Sequence, residues 1–371
     1  MSGIAPQRAQ PRVEPHLAIR APRSLYTLAY FQEGRKLVAS CGKKGVTMWN
    51  ANNGVEEVTS MVNRRHQWGR GGVIDFAVTR DGKKIICGTW KGEVKVWDVG
   101  LKDIVKEWTH PKWSPRVAIS PDDLFIAVHS ESTVFIHAIE GWEVKQVIEV
   151  GKDVCRVSFS PAGDKLALCT TVDILVYDVV TGTLLLGPWT GHTRVWMPSV
   201  VWSHDGSRLF SSSECDIRSW NANTGEQIGH PWTGHTSGVR SLSLSPDGST
   251  LASASWDHTV RFWNANSGDS LGQPLRHERS VKIVCFSPSG EFVASASGYE
   301  QQLYVWRAPQ SNNFGSRVSA HQLRSINSYP LFRRSIPPSL AWIVHTGHRL
   351  FLRHTLHTCP VANKHWISLS M

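Results

Sequence analysis

Seventeen histidines and seven cysteines are the residues of this chain best suited to chemistry, so their spacing is the first thing to weigh. A zinc site of common type needs Cys-x-x-Cys pairs or histidines spaced along one helix face. Cys41, Cys87, Cys155, Cys169, Cys215, Cys285 and Cys359 form no such pair, and no His-x-x-x-His lies in a clear helical pattern. His345, His348, His354 and His357 crowd one stretch, where a metal reading stands beside the simpler one of a solvated basic segment. Gly69-Arg70-Gly71-Gly72 comes nearest to a phosphate cradle, but no helix follows it, and it reads as a connector. Ser211-Ser212-Ser213 could accept phosphate, yet within a strand-like run these read as buried hydroxyls. No Gly-x-Ser-x-Gly elbow and no cluster of acid, base and nucleophile is present. The expectation is no catalysis, no metal and no cofactor.

The elements that must hold these residues show first in composition. The 371 residues include 17 Trp against 12 Phe and 6 Tyr, so something places Trp repeatedly. No run approaches the roughly 18 apolar residues of a membrane span. Most cysteines interrupt apolar strand-like runs, which favours reduced, buried thiols and a cytoplasmic or nuclear location. The net charge of +10 is uneven: residues 308–371 carry +7 with no acidic residue, residues 1–20 carry +2, and the body carries +1.

One unit recurs along the body. An apolar strand, a Ser-Pro-Asp-Gly-like turn, a second strand, a polar turn and a third strand end in an aromatic anchor. The clearest copy runs from Gly234-His235 through Ser245-Pro246-Asp247-Gly248 to Trp263-Asn264. The anchors are Trp49, Trp97, His137, Tyr177, Trp220, Trp263 and Trp306, separated by 48, 40, 40, 43, 43 and 43 residues. A turn lies 14 to 16 residues before each, and Asp-Gly between apolar runs is a strong hairpin signal. Residues one and three before each anchor, such as Phe262 and Val260, are apolar except Ser219. In a strand those point opposite to the anchor, so the sheet is covered on both faces. Seven such sheets give an all-β fold: a seven-bladed β-propeller of four-stranded antiparallel sheets.

These motifs resemble the WD-repeat family over about residues 12–307, with Gly191-His192, Gly234-His235 and Trp97-Asp98 as literal matches. The resemblance implies a hydrogen-bonded set of His, Ser or Thr, Asp and Trp in each repeat. The sixth repeat alone carries it whole, as His235, Ser253, Asp257 and Trp263. The fifth keeps His192, Ser211 and Trp220, with Asp216 a doubtful fourth, while Lys43 and Lys91 replace the Asp in the first two. The first four blades are therefore expected to be less rigid than the last three. The resemblance also implies closure by a strand from the opposite terminus, taken as Val13–Arg20. Residues 1–11 then form a flexible arm and 308–371 a basic tail. That tail reads either as a disordered extension or as sequence never selected to fold.

The resulting expectation is a monomeric propeller that acts as a protein-protein interaction scaffold, with no membrane contact. Its partner face should carry Trp68, Arg70, Trp90, Lys112, Trp113, Arg194, Trp196, Trp256 and Arg279, since exposed Trp beside cations is the usual composition of an interaction hot spot. The alternative is association with RNA or chromatin through the basic tail.

Overall fold

The structure, a computed structural model, describes residues 13–22, 25–58, 72–110, 115–190, 198–298 and 301–309. Every regular element among them is a strand, and no helix there is long and apolar enough to cross a membrane.

Strand β1 (Leu17–Arg20) precedes the first blade, which comprises β2 (Leu28–Phe31), β3 (Lys36–Ser40), β4 (Val46–Asn50) and β5 (Glu56–Val58). Blade two is β6 (Val73–Val78), β7 (Lys84–Thr89), β8 (Glu93–Asp98) and β9 (Asp103–Thr109). Blade three is β10 (Arg116–Ile119), β11 (Phe125–Ser130), β12 (Thr133–Ala138) and β13 (Val144–Glu149). Blade four is β14 (Val154–Phe159), β15 (Lys165–Thr170), β16 (Ile174–Asp178) and β17 (Leu184–Trp189). Blade five is β18 (Val200–Trp202), β19 (Arg208–Ser212), β20 (Asp216–Asn221) and β21 (Gln227–Thr233). Blade six is β22 (Val239–Leu244), β23 (Thr250–Ser255), β24 (Thr259–Asn264) and β25 (Ser270–Arg276). Blade seven joins β26 (Val281–Phe286), β27 (Phe292–Ser297) and β28 (Gln302–Arg307) to β1 as its outermost strand. Each sheet is an antiparallel meander of four strands.

The hydrophobic core is divided among the blade interfaces. Seven apolar clusters form, and each joins two neighbouring blades, as Phe210 and Trp232 of blade five meet Leu242 and Trp263 of blade six. The cluster that joins blade seven to blade one holds Ile19, Leu37, Trp49, Ala294 and Leu303, so packing completes a ring. The seven anchors are all buried, including His137 and Tyr177. A side chain of that size at every interface sets the spacing between sheets covered on both faces.

The turns between first and second strands need one residue in the left-handed region. Gly248 supplies it at φ +72°, and in blade three Asp123 adopts φ +60° itself, a conformation that a short polar side chain tolerates. The Asp of the motif braces the turn: Asp247 Oδ1 accepts from the Ser249 amide at 3.0 Å and from the Ser245 hydroxyl.

Two expectations need correction. The closing strand begins at Leu17, not Val13; Leu17 to Arg20 pair with Val305 to Gln302. Pro15 has no amide hydrogen to extend the ladder, and His16 lies against the Phe292 ring instead, 5.0 Å between centroids. Among the cysteines, Cys41, Cys87 and Cys169 are buried and Cys155 and Cys285 half-buried, but Cys215 is exposed because it falls in the turn before β20. Cys359, the His345–His357 stretch and the basic tail from residue 310 lie outside the described residues.

Candidate functional site

The hydrogen-bonded set of blade six sits at one end of the sheet and ties strands β23 and β24, the turn between them and the loop before β22 together. His235, in the loop before β22, meets Asp257 Oδ2 through Nδ1 and Ser253 Oγ through Nε2, both at 2.7 Å. Trp263 Nε1 donates to the same Ser253 Oγ at 2.8 Å. Asp257 also accepts from the Thr236 amide at 3.0 Å and the Thr259 hydroxyl at 2.6 Å. Burial is the largest influence on the Asp257 carboxyl and acts to raise it. The bonds from His235 and Thr259, attraction to His235 and the Thr236 amide together outweigh that and hold it well below the usual carboxylate range. Every polar atom of the set has a partner within the blade, which makes it a brace.

Blade five retains Trp220 Nε1 donating to Ser211 Oγ at 2.7 Å. His192 lies outside the described residues, and Asp216 begins β20 with its Oδ1 3.5 Å from Arg218 Nε. Blade seven carries a set that the motif reading missed: His277 Nε2 meets Ser295 Oγ at 3.0 Å, and Trp306 Nε1 donates to it at 2.8 Å. Arg276 stands where the Gly of Gly-His is expected, but the 18-residue step from His277 to Ser295 equals that from His235 to Ser253. The residue two beyond the anchor's cross-strand partner is Ser211, Ser253 or Ser295 in the last three blades. In the first four it is Ala39, Cys87, Val128 or Leu168. Trp49 Nε1 in blade one is accordingly buried without a hydrogen-bond partner.

On the face formed by the turns after second strands, two exposed aromatics stand at equivalent positions. Trp90 follows β7 and Trp256 follows β23; their amides donate to Gly72 O at 3.1 Å and Gly238 O at 2.9 Å. These residues are 41% and 39% exposed, the only described Trp among the exposed large apolar residues. The Arg240 guanidinium lies 4.7 Å from the Trp256 ring, and Tyr26 meets Trp90 edge-on at 5.9 Å. Arg279 is exposed in the loop before β26, on the same face. Trp68, Arg70, Lys112, Trp113, Arg194 and Trp196 lie outside the described residues.

Between these aromatics opens the mouth of the central channel, a cavity of about 450 Å³ lined from six blades. The first strands of blades two, four, six and seven each carry a register shift that skips one residue: Ile74, Cys155, Arg240 and Lys282. A bulge re-aims the extra side chain, and all four line the cavity, with Arg116, Arg156, His129 and Glu131. Just behind them is the buried Asp75, which accepts from the Val117 amide at 3.2 Å and from the Thr27 hydroxyl; Arg156 approaches it at 3.9 Å. Burial, then repulsion by Arg156, lowers the Arg116 guanidinium to about 10. His129 is buried, and burial followed by Arg116 and Arg156 holds it far below its ordinary value.

A second histidine cluster lies at the interface of blades two and three. Trp108 Nε1 donates to His110 Nε2 at 3.0 Å, and His137 packs against both rings. Burial and the neighbouring His137 push His110 down to about 4, and burial lowers His137. Among the described residues no group of three His, Cys, Asp or Glu side chains is placed to hold a metal ion.

Seven radial four-stranded sheets around a shared channel define a β-propeller. The profile of the WD domain, G-beta repeat matches residues 61–98, 184–221, 225–264 and 270–307. Three of these, 184–221, 225–264 and 270–307, take the outer strand of one blade with the three inner strands of the next, so each repeat staples two blades. The chain is thus a WD-repeat β-propeller, a fold that generally serves as a protein-interaction scaffold. No curated protein matches it.

Proposed function

We propose that this protein is a non-catalytic scaffold that binds protein partners on the face bearing Trp90, Trp256 and the channel mouth. The observation that supports this is the exposure of two tryptophans in the same turn of two blades. The equivalent residue in the other blades is Gly42, Glu131, Thr171, Glu214 or Gly298, so nothing in the fold requires an aromatic there. Large exposed aromatics beside cations are typical anchors of protein interfaces. Arg279 and the sequence-derived Trp68, Arg70, Lys112, Trp113, Arg194 and Trp196 belong to the same reading, as do a cytoplasmic or nuclear location and a monomeric ring at residues 12–307.

The test is capture of partners from the native cell by wild type and by Trp90→Ala/Trp256→Ala. The double variant is expected to fold normally by circular dichroism and to lose most of the recovered protein. Undiminished recovery moves the site elsewhere. A second reading rests on the +7 charge of residues 308–371. RNA or chromatin binding that falls steeply with salt and disappears with that segment would carry it.

A further inference from the structure

We infer that the outer edge of β13 in blade three is a docking site for an extended, basic segment of another protein, which adds to the blade as a fifth strand. The Val150 amide donates to Ser132 O at 2.9 Å, and strand geometry alternates from there, so the amides and carbonyls of Val147 and Glu149 point away from β12. The Val147 carbonyl agrees with that direction, since it accepts from the Gln146 side chain at 3.3 Å. No described strand lies beyond β13. A row of outward backbone groups of this kind is a template for an added strand.

The other outer strands differ in ways that hinder such pairing. β17, β21 and β25 each hold a proline and a glycine in the left-handed region: Gly187 and Pro188, Gly229 and Pro231, Gly272 and Pro274. β1 and β5 are described over only four and three residues. β9 has no proline, but Lys106 and Glu107 place charge on both faces near its centre. The centre of β13 is uncharged, at Gln146, Val147 and Ile148. Its chemistry also specifies the partner. Val144 and Val147 are exposed on the strand, and Val180, Leu184 and Leu185 of blade four are exposed beside it, where Gly182 packs against the Gln146 side chain. Among the described residues, the outer strands of blades five to seven expose no large apolar side chain. Residues 138–150 and 178–189 carry Glu140, Glu143, Glu149 and Asp178 against Lys145 alone, and Lys145 is already paired with Glu143 at 2.7 Å. The complement of this acidic, apolar edge is a strand in which apolar residues alternate with lysine or arginine.

The inference does not rest on Trp90 or Trp256, and its test uses a synthetic probe, so it stands or falls apart from the partner capture proposed above. Fluorescence anisotropy on the full chain would titrate a labelled peptide of about eight residues that alternates lysine and valine. Saturable binding is expected, with slowed amide exchange across residues 144–149. The same peptide N-methylated at every amide keeps its charges and side chains but has no N–H to donate, and is expected to bind at least ~10-fold more weakly. A peptide alternating glutamate and valine is expected to lose at least as much, ~10-fold, through repulsion. Val147→Pro removes an amide that donates nothing to β12, so it is expected to fold as wild type by circular dichroism and to weaken binding ~10-fold. Val147→Ala keeps that amide and is expected to bind within ~3-fold of wild type. Absence of saturable binding, equal binding of the methylated peptide, or wild-type affinity in folded Val147→Pro overturns the site. Equal affinity for the glutamate peptide overturns the basic character of the partner. Should Val147→Pro melt lower than wild type, the methylated peptide decides in its place.

Discussion

Asp257 carries the most demanding role of any single side chain in the ring, because four donors converge on one carboxylate. Asp257→Ala strands the His235 ring, the Thr236 amide and the Thr259 amide and hydroxyl. The expected cost is about 1–3 kcal/mol, since buried groups lose partners that water cannot fully replace. Trp263 keeps its bond to Ser253, so the anchor itself should stay in place. The effect has a pH signature. A carboxylate held below its unfolded value near 3.8 contributes stability that is present above that value and lost as pH falls through the folded one. Urea denaturation of wild type and variant should therefore differ fully at pH 7, with a gap that starts to narrow only below about pH 3.8 and closes as pH approaches the much lower folded value; a gap that does not shrink between pH 3.8 and about pH 2 would contradict the role. This set was legible in the sequence because each member sits at a family spacing. The His277 set was hidden by the missing glycine at Arg276. The channel residues were hidden for a different reason: Arg240 and Lys282 follow Val239 and Val281 in what reads as ordinary alternation, and only a bulge turns them inward.

Among the blades, the hydroxyl opposite the anchor separates the last three from the first four. Ser211, Ser253 and Ser295 each accept an indole N–H, whereas Ala39 leaves Trp49 Nε1 buried and unpaired. Ala39→Ser places a hydroxyl at the position that Ser253 holds in blade six, on a strand of the same register. The expected result is a gain of about 1 kcal/mol, seen as a higher urea midpoint at unchanged slope. The opposite change, Ser295→Ala, removes the acceptor of Trp306 and the partner of His277 and should cost about 1–3 kcal/mol. A lower midpoint for Ala39→Ser would mean that the packing around Ala39 has no room for the added atom. Strand order and turn positions were readable from the anchor period, because alternation and Asp-Gly turns are local signals. The length of β1 was not, since its start depends on Pro15 meeting a strand nearly three hundred residues away.

For the molecule as a whole, two properties follow from how the ring is assembled. The first is acid lability. His110, His129 and His137 are buried and held neutral below the ordinary histidine value of 6.5. Their unfolded forms take up protons as pH drops below 6.5 while the folded forms do not, so stability falls over that interval, by at most about 1.4 kcal/mol per pH unit for each histidine. Thermal melts from pH 7 to pH 4 should show it, and His110→Phe, beside Phe135, should lessen the slope. The second property is closure. Strand β1 buries Ile19 in the cluster between blades seven and one, where Ala21 also packs, and covers the free edge of β28. Deleting residues 1–22 removes that strand, exposes the edge and opens the interface at which, among the described residues, the two ends of the ring meet. An uncovered edge recruits other chains, so the truncated protein should melt lower and run as oligomers in size-exclusion chromatography. The opposite cut must be placed with care. Ala308 is buried beside Trp306 and its amide donates to Glu291 O at 2.8 Å, so packing continues past residue 307. Deleting 310–371 removes none of these contacts and is expected to leave both the melting temperature and the monomer unchanged. If that truncation is the one that aggregates, the ring depends on the basic segment for its closure, and β1 alone does not complete it.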